Sequence, residues 1–485
     1  MTKGFDVRDL AIEALTKVER AEESATQALD DILSRTYGLQ ERDRAFVTEL
    51  VYGVLRHRRR IDRAIQAYSK KRIASSHPLL LRALRLAVYQ ILFLDRVPPR
   101  AAVHSAVSFV GKRMGKPRAG FANAVLRALL RGGEPPLPSR EAEPLGSLEY
   151  MKEKFSYSDW MADLFKTRLD LEGCVALGEA LSERYKTVIR ANSLKTTKNE
   201  LMKKLGAELG EGDESGEGAE LGEGAESGEE TDSCDDGVRV EVCRYAPQGL
   251  IVRNLPDPTR HPLHKEGYFA VQEEASQLIS YLLDPGKGEK ILDACGGAGG
   301  KTLHIYNLSE GSSSILCCDS SERRLGLARE RFFQATGETL NAKVVDWTQD
   351  DVFLKGELFD RVLLDAPCTG IGALRRHPEA KWRIDEGVLK AMVKLQRSLL
   401  ERVAPLTAPG GIILYVVCTI SPQEGPEQVR DFLRKHPNFS IDVNIDKKNP
   451  AQPFLDEKGE FFTWPHLHNM DGFYGVRLRR SKAKH

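Results

Sequence analysis

Residues 291–305 read ILDACGGAGGKTLHI: an apolar run, four glycines within five positions, and the start of a helical pattern. Strand, glycine turn and helix in that order let a ligand approach the backbone and meet free N–H groups at the helix N-terminus. A triphosphate cradle of the form GxxxxGK[ST] does not fit, because Gly296 stands four residues before Gly300, one too few. The dinucleotide pattern GxGxxG is also imperfect. Further apolar runs follow: SILCCD (314–319), AKVVD (342–346), RVLLDA (361–366) and GIILYVVC (411–418), with helical stretches between most of them. That alternation predicts a parallel sheet with crossover helices from about Gly267 onward. Strands so uniformly apolar are expected to be buried on both faces.

The polar ends of these strands point to a ligand. Asp319 closes the second strand about twenty residues past the glycine loop, where an acid accepts hydrogen bonds from ribose hydroxyls. The plainer alternative is a cap for a helix beginning at Ser320 or Ser321. Asp346 closes the third strand, where an adenine amino group would be met. Two acids beside a loop that fits no phosphate favour an adenosine ligand such as S-adenosylmethionine over NAD or ATP.

Two strands end on thiols. RVLLDAPCTG (361–370) runs into Asp365, Pro367 and Cys368, and the strand at 411–417 runs into Cys418. A core cysteine is usually a small inert hydrophobe. A matched pair at two strand ends, beside a carboxylate and a glycine loop, is better read as one pocket. The residues alone leave open which thiol attacks.

The 485 residues exceed one ordinary core. A net charge of +1 hides an asymmetry, since residues 206–236 hold thirteen acids and no Lys or Arg. Residues 51–135 hold eighteen Lys or Arg against three acids, clustered at RHRRR (56–60), KKR (70–72) and GKRMGKPR (111–118). Such density is expected of a phosphate-binding face, the alternative being solvated helix faces. Eight scattered cysteines indicate a reducing compartment, and none has zinc spacing, so no metal is expected. No apolar run is long enough for a bilayer, and the N-terminus lacks a secretory pattern; a cytoplasmic protein without a membrane partner is expected.

The first 135 residues read as helices and end at the proline-rich EPPLPSREAEP. The expected division is a helical domain at 1–135, a linker at 136–149, a small α+β domain at 150–265 and a catalytic domain at 266–485. The repeat GAELGEGDESGE/GAELGEGAESGE is expected to be a disordered acidic insert spanning 206–237.

The ordered set KEGYFAVQEEASQL, ILDACGGAGGKT, LLDAPCTGIGALRRHPEAKW, LYVVCTISPQE and DGFYGVRL resembles the RNA 5-methylcytosine methyltransferases, most closely the RsmB (Fmu/Sun) family acting on small-subunit rRNA. ERDRAFVTELVYGVLRHRRRID and AGFANAVLRALL resemble the NusB-like domain of that family. The resemblance implies a multidomain chain: an all-α NusB-like bundle, a small α+β domain, and an α/β Rossmann-like class I methyltransferase domain with a mostly parallel sheet. It implies Cys418 as nucleophile, Cys368 as the group for release and general base, Asp365 on the cytosine edge, and Lys301 positioning base or cofactor. S-adenosylmethionine would lie against Cys295, Gly296, Gly297, Ala298, Gly299, Gly300, Lys301, Asp319, Asp346 and Asp365. The implied partner is a stem-loop cytosine of 16S rRNA, with no DNA and the chain acting as a monomer. Methylation of tRNA, or a non-catalytic RNA-binding factor with a decayed methyltransferase domain, are the alternatives.

Two departures from the family pattern stand out. CGGAGGK replaces Cys-Ala-Ala-Pro-Gly-Gly-Lys, and the loss of proline at Ala298 together with the added Gly296 and Gly297 is expected to loosen the loop. YVVCTI replaces Tyr-Ser-Thr-Cys-Ser, which places Val416, Val417 and Ile420 around Cys418. A more apolar surround is expected to raise a thiol's pKa.

Overall fold

The computed structural model describes residues 6–20, 23–70, 72–140, 146–206, 208–209, 237–255, 257–349, 354 and 356–482. Of the acidic repeat, only Gly206 and Glu208–Leu209 are described, the latter paired with Arg239 and Val240 where a disordered insert is expected; the rest lies outside the described residues. Two compact units form: Met1–Arg184 with Thr369–Ala391 and Pro465–Asn469, and Tyr185–Cys368 with Met392–Trp464 and Met470–His485.

The first unit is helical. It contains α1 (Val7–Glu19), α2 (Ala25–Arg35), α3 (Glu41–Arg56), α4 (Arg58–Ala67) and α5 (Pro78–Phe93). It continues through α6 (Pro99–Met114), α7 (Lys116–Gly132), α8 (Gly146–Phe155), α9 (Asp159–Lys166) and α10 (Leu171–Ser182). Local chemistry sets the ends. Asp6 caps α1 and a Ser24–Gln27 capping box starts α2. Gly115, at φ +89°, turns α6 into α7, which carries proline in its first turn. Leu15, Leu50, Val54, Leu84, Val88, Leu126 and Leu129 lie in one buried core.

The arginine cluster at 56–60 is not a free phosphate-binding face. Arg56 is buried, Arg58 stacks on Trp382 at 5.0 Å, and Arg59 pairs with Glu153 at 2.9 Å and Asp159 at 3.2 Å. Arg60 pairs with Glu134 at 2.5 Å. Arg82 and Arg85 bond Glu19, and Arg85 also takes Asp62. These cations hold the helices to one another.

The segment after Cys368 joins this unit. Glu379 accepts from Ala25 N, Lys381 Nζ donates to Phe155 O at 2.8 Å, and Trp382 Nε1 donates to Leu55 O at 2.8 Å. Lys381 is almost fully buried, and burial with Arg56 nearby pushes its pKa down to about 7. The RRHPEAKW stretch is thus stitched into the helical core.

The second unit holds two sheets. The smaller contains β1 (Thr187–Ala191), β2 (Glu208–Leu209), β3 (Arg239–Val242), β4 (Gly249–Arg253) and β5 (Phe269–Val271) in the order β2-β3-β4-β1-β5. Helices α11 (Lys198–Lys204) and α12 (Pro262–Lys265) accompany it. The chain continues with α13 (Glu274–Leu283), β6 (Lys290–Asp293), α14 (Gly300–Leu308), β7 (Ser314–Asp319), α15 (Glu322–Thr336) and β8 (Asn341–Val344). Then come β9 (Phe359–Asp365), α16 (Glu386–Val403), β10 (Thr407–Val417), α17 (Pro426–Lys435), β11 (Phe439–Ile441), β12 (Glu460–Thr463) and β13 (Phe473–Arg480); α18 (Pro465–His468) lies in the first unit.

The larger sheet has the order β11-β13-β10-β9-β6-β7-β8, with β12 beside β13. Every pair from β10 to β8 is parallel, and β13 runs antiparallel to β10. The five apolar runs are five adjacent strands. Alternate residues enter two cores. Leu292, Val362, Leu364 and Tyr415 pack with Leu399 and Val403 of α16, while Ile291, Leu363, Leu414 and Val416 pack with α13, α14 and α15. For β6, β7, β9 and β10 a buried apolar core on each face is the reason the strands lack polar alternation; β8 departs from that expectation, with Asn341 and Val344 exposed and Ala342 and Lys343 half-buried.

Candidate active site

The strand order reverses between β6 and β9. In such sheets ligands sit at the carboxyl ends of the strands flanking that point. The glycine loop follows β6, and Asp365 ends β9. Beside β9, β10 runs parallel with Leu364 opposite Tyr415 and Asp365 opposite Val416. Equal direction and this register bring the residues just beyond both strands to one end of the sheet. Cys368 Sγ and Cys418 Sγ lie 3.1 Å apart. Two thiols fifty positions apart in sequence share one pocket. Pro367 leaves the ladder without an unsatisfied donor, while Ala366 N still bonds Val416 O.

Two thiols this close do not ionise independently. The hydrogen bond to Cys418, followed by burial, pushes the Cys368 thiol well above the usual range, and Glu424 and Asp365 add to this. Cys368 therefore keeps its proton at rest. Gln396 Nε2 donates to Pro367 O and to Glu424 Oε1, both at 2.9 Å, and so ties the Cys368 turn to α16. Nothing in the sequence marked Gln396 or Glu424 for this role.

Lys301 Nζ bonds Asp365 Oδ2 at 2.6 Å and lies 5.6 Å from the centre of the Phe473 ring. Burial would lower the lysine pKa, but Asp365 and Cys418 outweigh it and raise it. The ammonium is thus fixed on the Asp365 carboxylate and feels the charge of Cys418.

The loop is pinned by its own backbone. Gly296 N donates to Cys318 O at 2.8 Å, Gly297 N to Asp319 Oδ2 at 3.0 Å, and Gly299 N to Gly296 O at 2.9 Å. Gly297 and Gly299 adopt left-handed φ values of +55° and +79°. A Cβ at Gly297 or Gly300 would meet nothing within 4 Å, so the cradle is open there. At Gly296 a Cβ would stand 2.3 Å from Cys317 Sγ. The cysteine fills the place of the missing methyl. Gly296→Ala is expected to destabilise the protein by about 1–3 kcal/mol, as overpacking does. Cys317→Ala should restore most of that loss in the double variant, as read from denaturant unfolding of the four proteins; no recovery would refute the pairing.

Asp319 is not the cap of α15. Its Oδ1 accepts from Ser321 N at 2.8 Å and pairs with Arg324 at 2.8 Å, while Ser321 itself caps α15. Asp346 is exposed, and its carboxylate is held by Thr348 and Gln349, which lower its pKa. Cys295 is half-buried, and burial, with Asp293, Asp365 and Asp319 nearby, raises its thiol well above the usual range.

Asp293 was not singled out from the sequence, although it stands in the same LDAC run. It is fully buried, accepts from Thr302 Oγ1 at 2.6 Å, and leaves Oδ1 without a partner. Burial pushes its pKa up from 3.8 to about 7. Between those values the folded chain holds a proton that the unfolded chain has lost, so stability falls as pH rises through that window. Asp293→Asn should therefore gain stability relative to wild type between pH 5 and pH 8, on the order of 3 kcal/mol. Unfolding curves at both pH values measure this, and a pH-independent difference would refute it.

A parallel sheet with a glycine loop at its switch point and strand-end acids and thiols defines a methyltransferase of the Rossmann-like class. The family model "16S rRNA methyltransferase RsmB/F" matches residues 280–479 and the NusB family matches residues 6–131. The chain belongs to the RsmB/F family of small-subunit rRNA methyltransferases. A Mycobacterium tuberculosis protein named as a methyltransferase is 33% identical over 98% of this chain and 96% of its own length. The ribosomal RNA small subunit methyltransferase B of Vibrio cholerae is 29% identical over 98% of each chain. The crystal structure of PH0851 aligns over 98% of this chain and 99% of its own, with a TM-score of 0.77 and 25% identity. Among the described residues no helix is long and apolar enough to cross a membrane.

Proposed function

We propose that this chain transfers a methyl group from S-adenosylmethionine to C5 of a cytosine in 16S rRNA, through a bond between Cys418 and C6. The observation that supports it most is the pair of thiols 3.1 Å apart at the ends of adjacent parallel strands, with Lys301–Asp365 at the same end of the sheet. S-adenosylmethionine, when bound, supplies an electrophilic methyl group. The open cradle at Gly297 and Gly300, with Cys295, Gly296, Ala298, Gly299 and Lys301 around it, fits such a ligand; Asp319, Asp346 and Asp365 would receive its polar groups. In this reading residues 1–135 and 150–265 grip the RNA, 266–485 carry the chemistry, and the chain acts as a cytoplasmic monomer.

Cytosine C5 is a poor nucleophile. Addition of the Cys418 sulfur to C6 turns C5 into an enamine carbon that accepts a methyl group. Asp365, steadied by Lys301, takes the cytosine amino group or a protonated N3, which eases that addition. Release requires loss of the C5 proton and departure of sulfur. Here the thiol pair has a built-in order. While Cys418 is free, its hydrogen bond and charge hold the proton on Cys368. Once Cys418 is bonded to C6 its contribution ends while burial, Glu424 and Asp365 still hold a proton on Cys368, so Cys368 serves as a relay that passes its own proton on as it takes the one from C5.

The test is incubation of purified protein with S-adenosylmethionine and either 16S rRNA or tRNA, followed by nucleoside mass spectrometry. New 5-methylcytidine in 16S rRNA is expected. A methyl on another atom would overturn the chemistry, and 5-methylcytidine confined to tRNA would overturn the substrate.

A further inference from the structure

Helices α6 and α7 carry seven Lys or Arg and no acid. The neighbouring arginine cluster at 56–60 is spent on Glu134, Glu153 and Asp159, as described above. Arg100, Lys112, Arg113, Lys116, Arg118, Arg127 and Arg131 are all exposed, and none of them pairs with a carboxylate among the described residues. Asp9 of α1 acts on Lys112 and Arg113, so the α6 end of the hairpin is partly neutralised.

Helix α7 has a cleaner face. Lys116, Gly120, Ala124, Arg127 and Arg131 fall within about 80° of its circumference, opposite the buried Ala122, Val125, Leu126 and Leu129. All five are exposed. Gly120 sits in the helix interior, where glycine is disfavoured more than any residue but proline. A Cβ there would meet nothing within 4 Å, so packing inside the protein does not require it. A bare backbone between three cations is what close approach of a polyanion calls for.

We propose that this face of α7 docks on the phosphate backbone of the RNA substrate; the proposal rests on the rRNA reading above. Backbone docking of this kind positions the RNA without reading its sequence.

The experiment titrates the full chain with a small-subunit rRNA transcript over a series of KCl concentrations, for wild type and for Lys116→Gln/Arg127→Gln/Arg131→Gln. The slope of log affinity against log salt is expected to be shallower by about 2–3 in the variant, at about 0.7–0.9 per lost phosphate contact. S-adenosylmethionine affinity should stay unchanged. Gly120→Leu, whose side chain enters open space, should keep the wild-type unfolding temperature and lose RNA affinity. An unchanged slope in the triple variant, or full RNA affinity in Gly120→Leu, overturns the proposal. Methyl transfer is scored separately. Transfer with equal slopes would leave the catalytic reading standing and sink the docking face. Unequal slopes without transfer would do the reverse.

Discussion

Replacing Cys368 with alanine is expected to freeze the protein on its RNA. With Cys418 intact the sulfur still adds to C6, but the group that takes the C5 proton is gone, so the adduct forms and is not resolved. Turnover should fall by at least about 10³-fold, while a species resistant to denaturing electrophoresis accumulates. Cys418→Ala should lose turnover to the same extent and form no adduct. The double variant should resemble Cys418→Ala, because nothing remains to attack. The proposed order rests on the 3.1 Å contact between the two sulfurs, through which Cys418 helps to hold the proton on Cys368. If both single variants trapped RNA equally, the assignment of separate roles would fail.

The second large effect concerns the Lys301–Asp365 pair. The two atoms stand 2.6 Å apart, with side-chain exposures of 14% and 27%. Asp365→Ala leaves the Lys301 ammonium without its partner in a largely enclosed place. Breaking a buried pair costs about 3–5 kcal/mol; a carboxylate that still meets solvent should yield the lower end, about 2–3 kcal/mol after screening. Asp365→Asn keeps the shape, so its stability loss should be smaller. Its methyl transfer should still fall by about 10²–10⁴-fold, because a neutral amide lacks the negative charge that favours a protonated N3. Unfolding curves and single-turnover transfer on the two variants separate the contributions. Full activity in Asp365→Asn would remove Asp365 from the chemistry.

Much of this architecture could be read from the sequence. The five apolar runs are the adjacent parallel strands; in four of them burial on both faces leaves no room for polar residues, while β8, last in the order, is exposed or half-buried along its length. The strand-end thiols meet because parallel neighbours of matching register finish at the same edge. Other features depended on partners that no local pattern reveals. RHRRR looked like a phosphate face, but its acids come from Glu134, Glu153 and Asp159, some 74 to 100 positions away. The RRHPEAKW stretch follows a catalytic-domain strand, yet it packs with helices of the first 184 residues. Gly296 looked like a loosened loop, and only the position of Cys317 in the next strand shows that its space is filled.

The most direct test of the catalytic account is to digest the trapped Cys368→Ala complex and identify by mass spectrometry the residue that carries the nucleotide. The account predicts a cytosine, methylated at C5, bonded to the peptide containing Cys418. A nucleotide on Cys295 or any other residue, or a base other than cytosine, would contradict it.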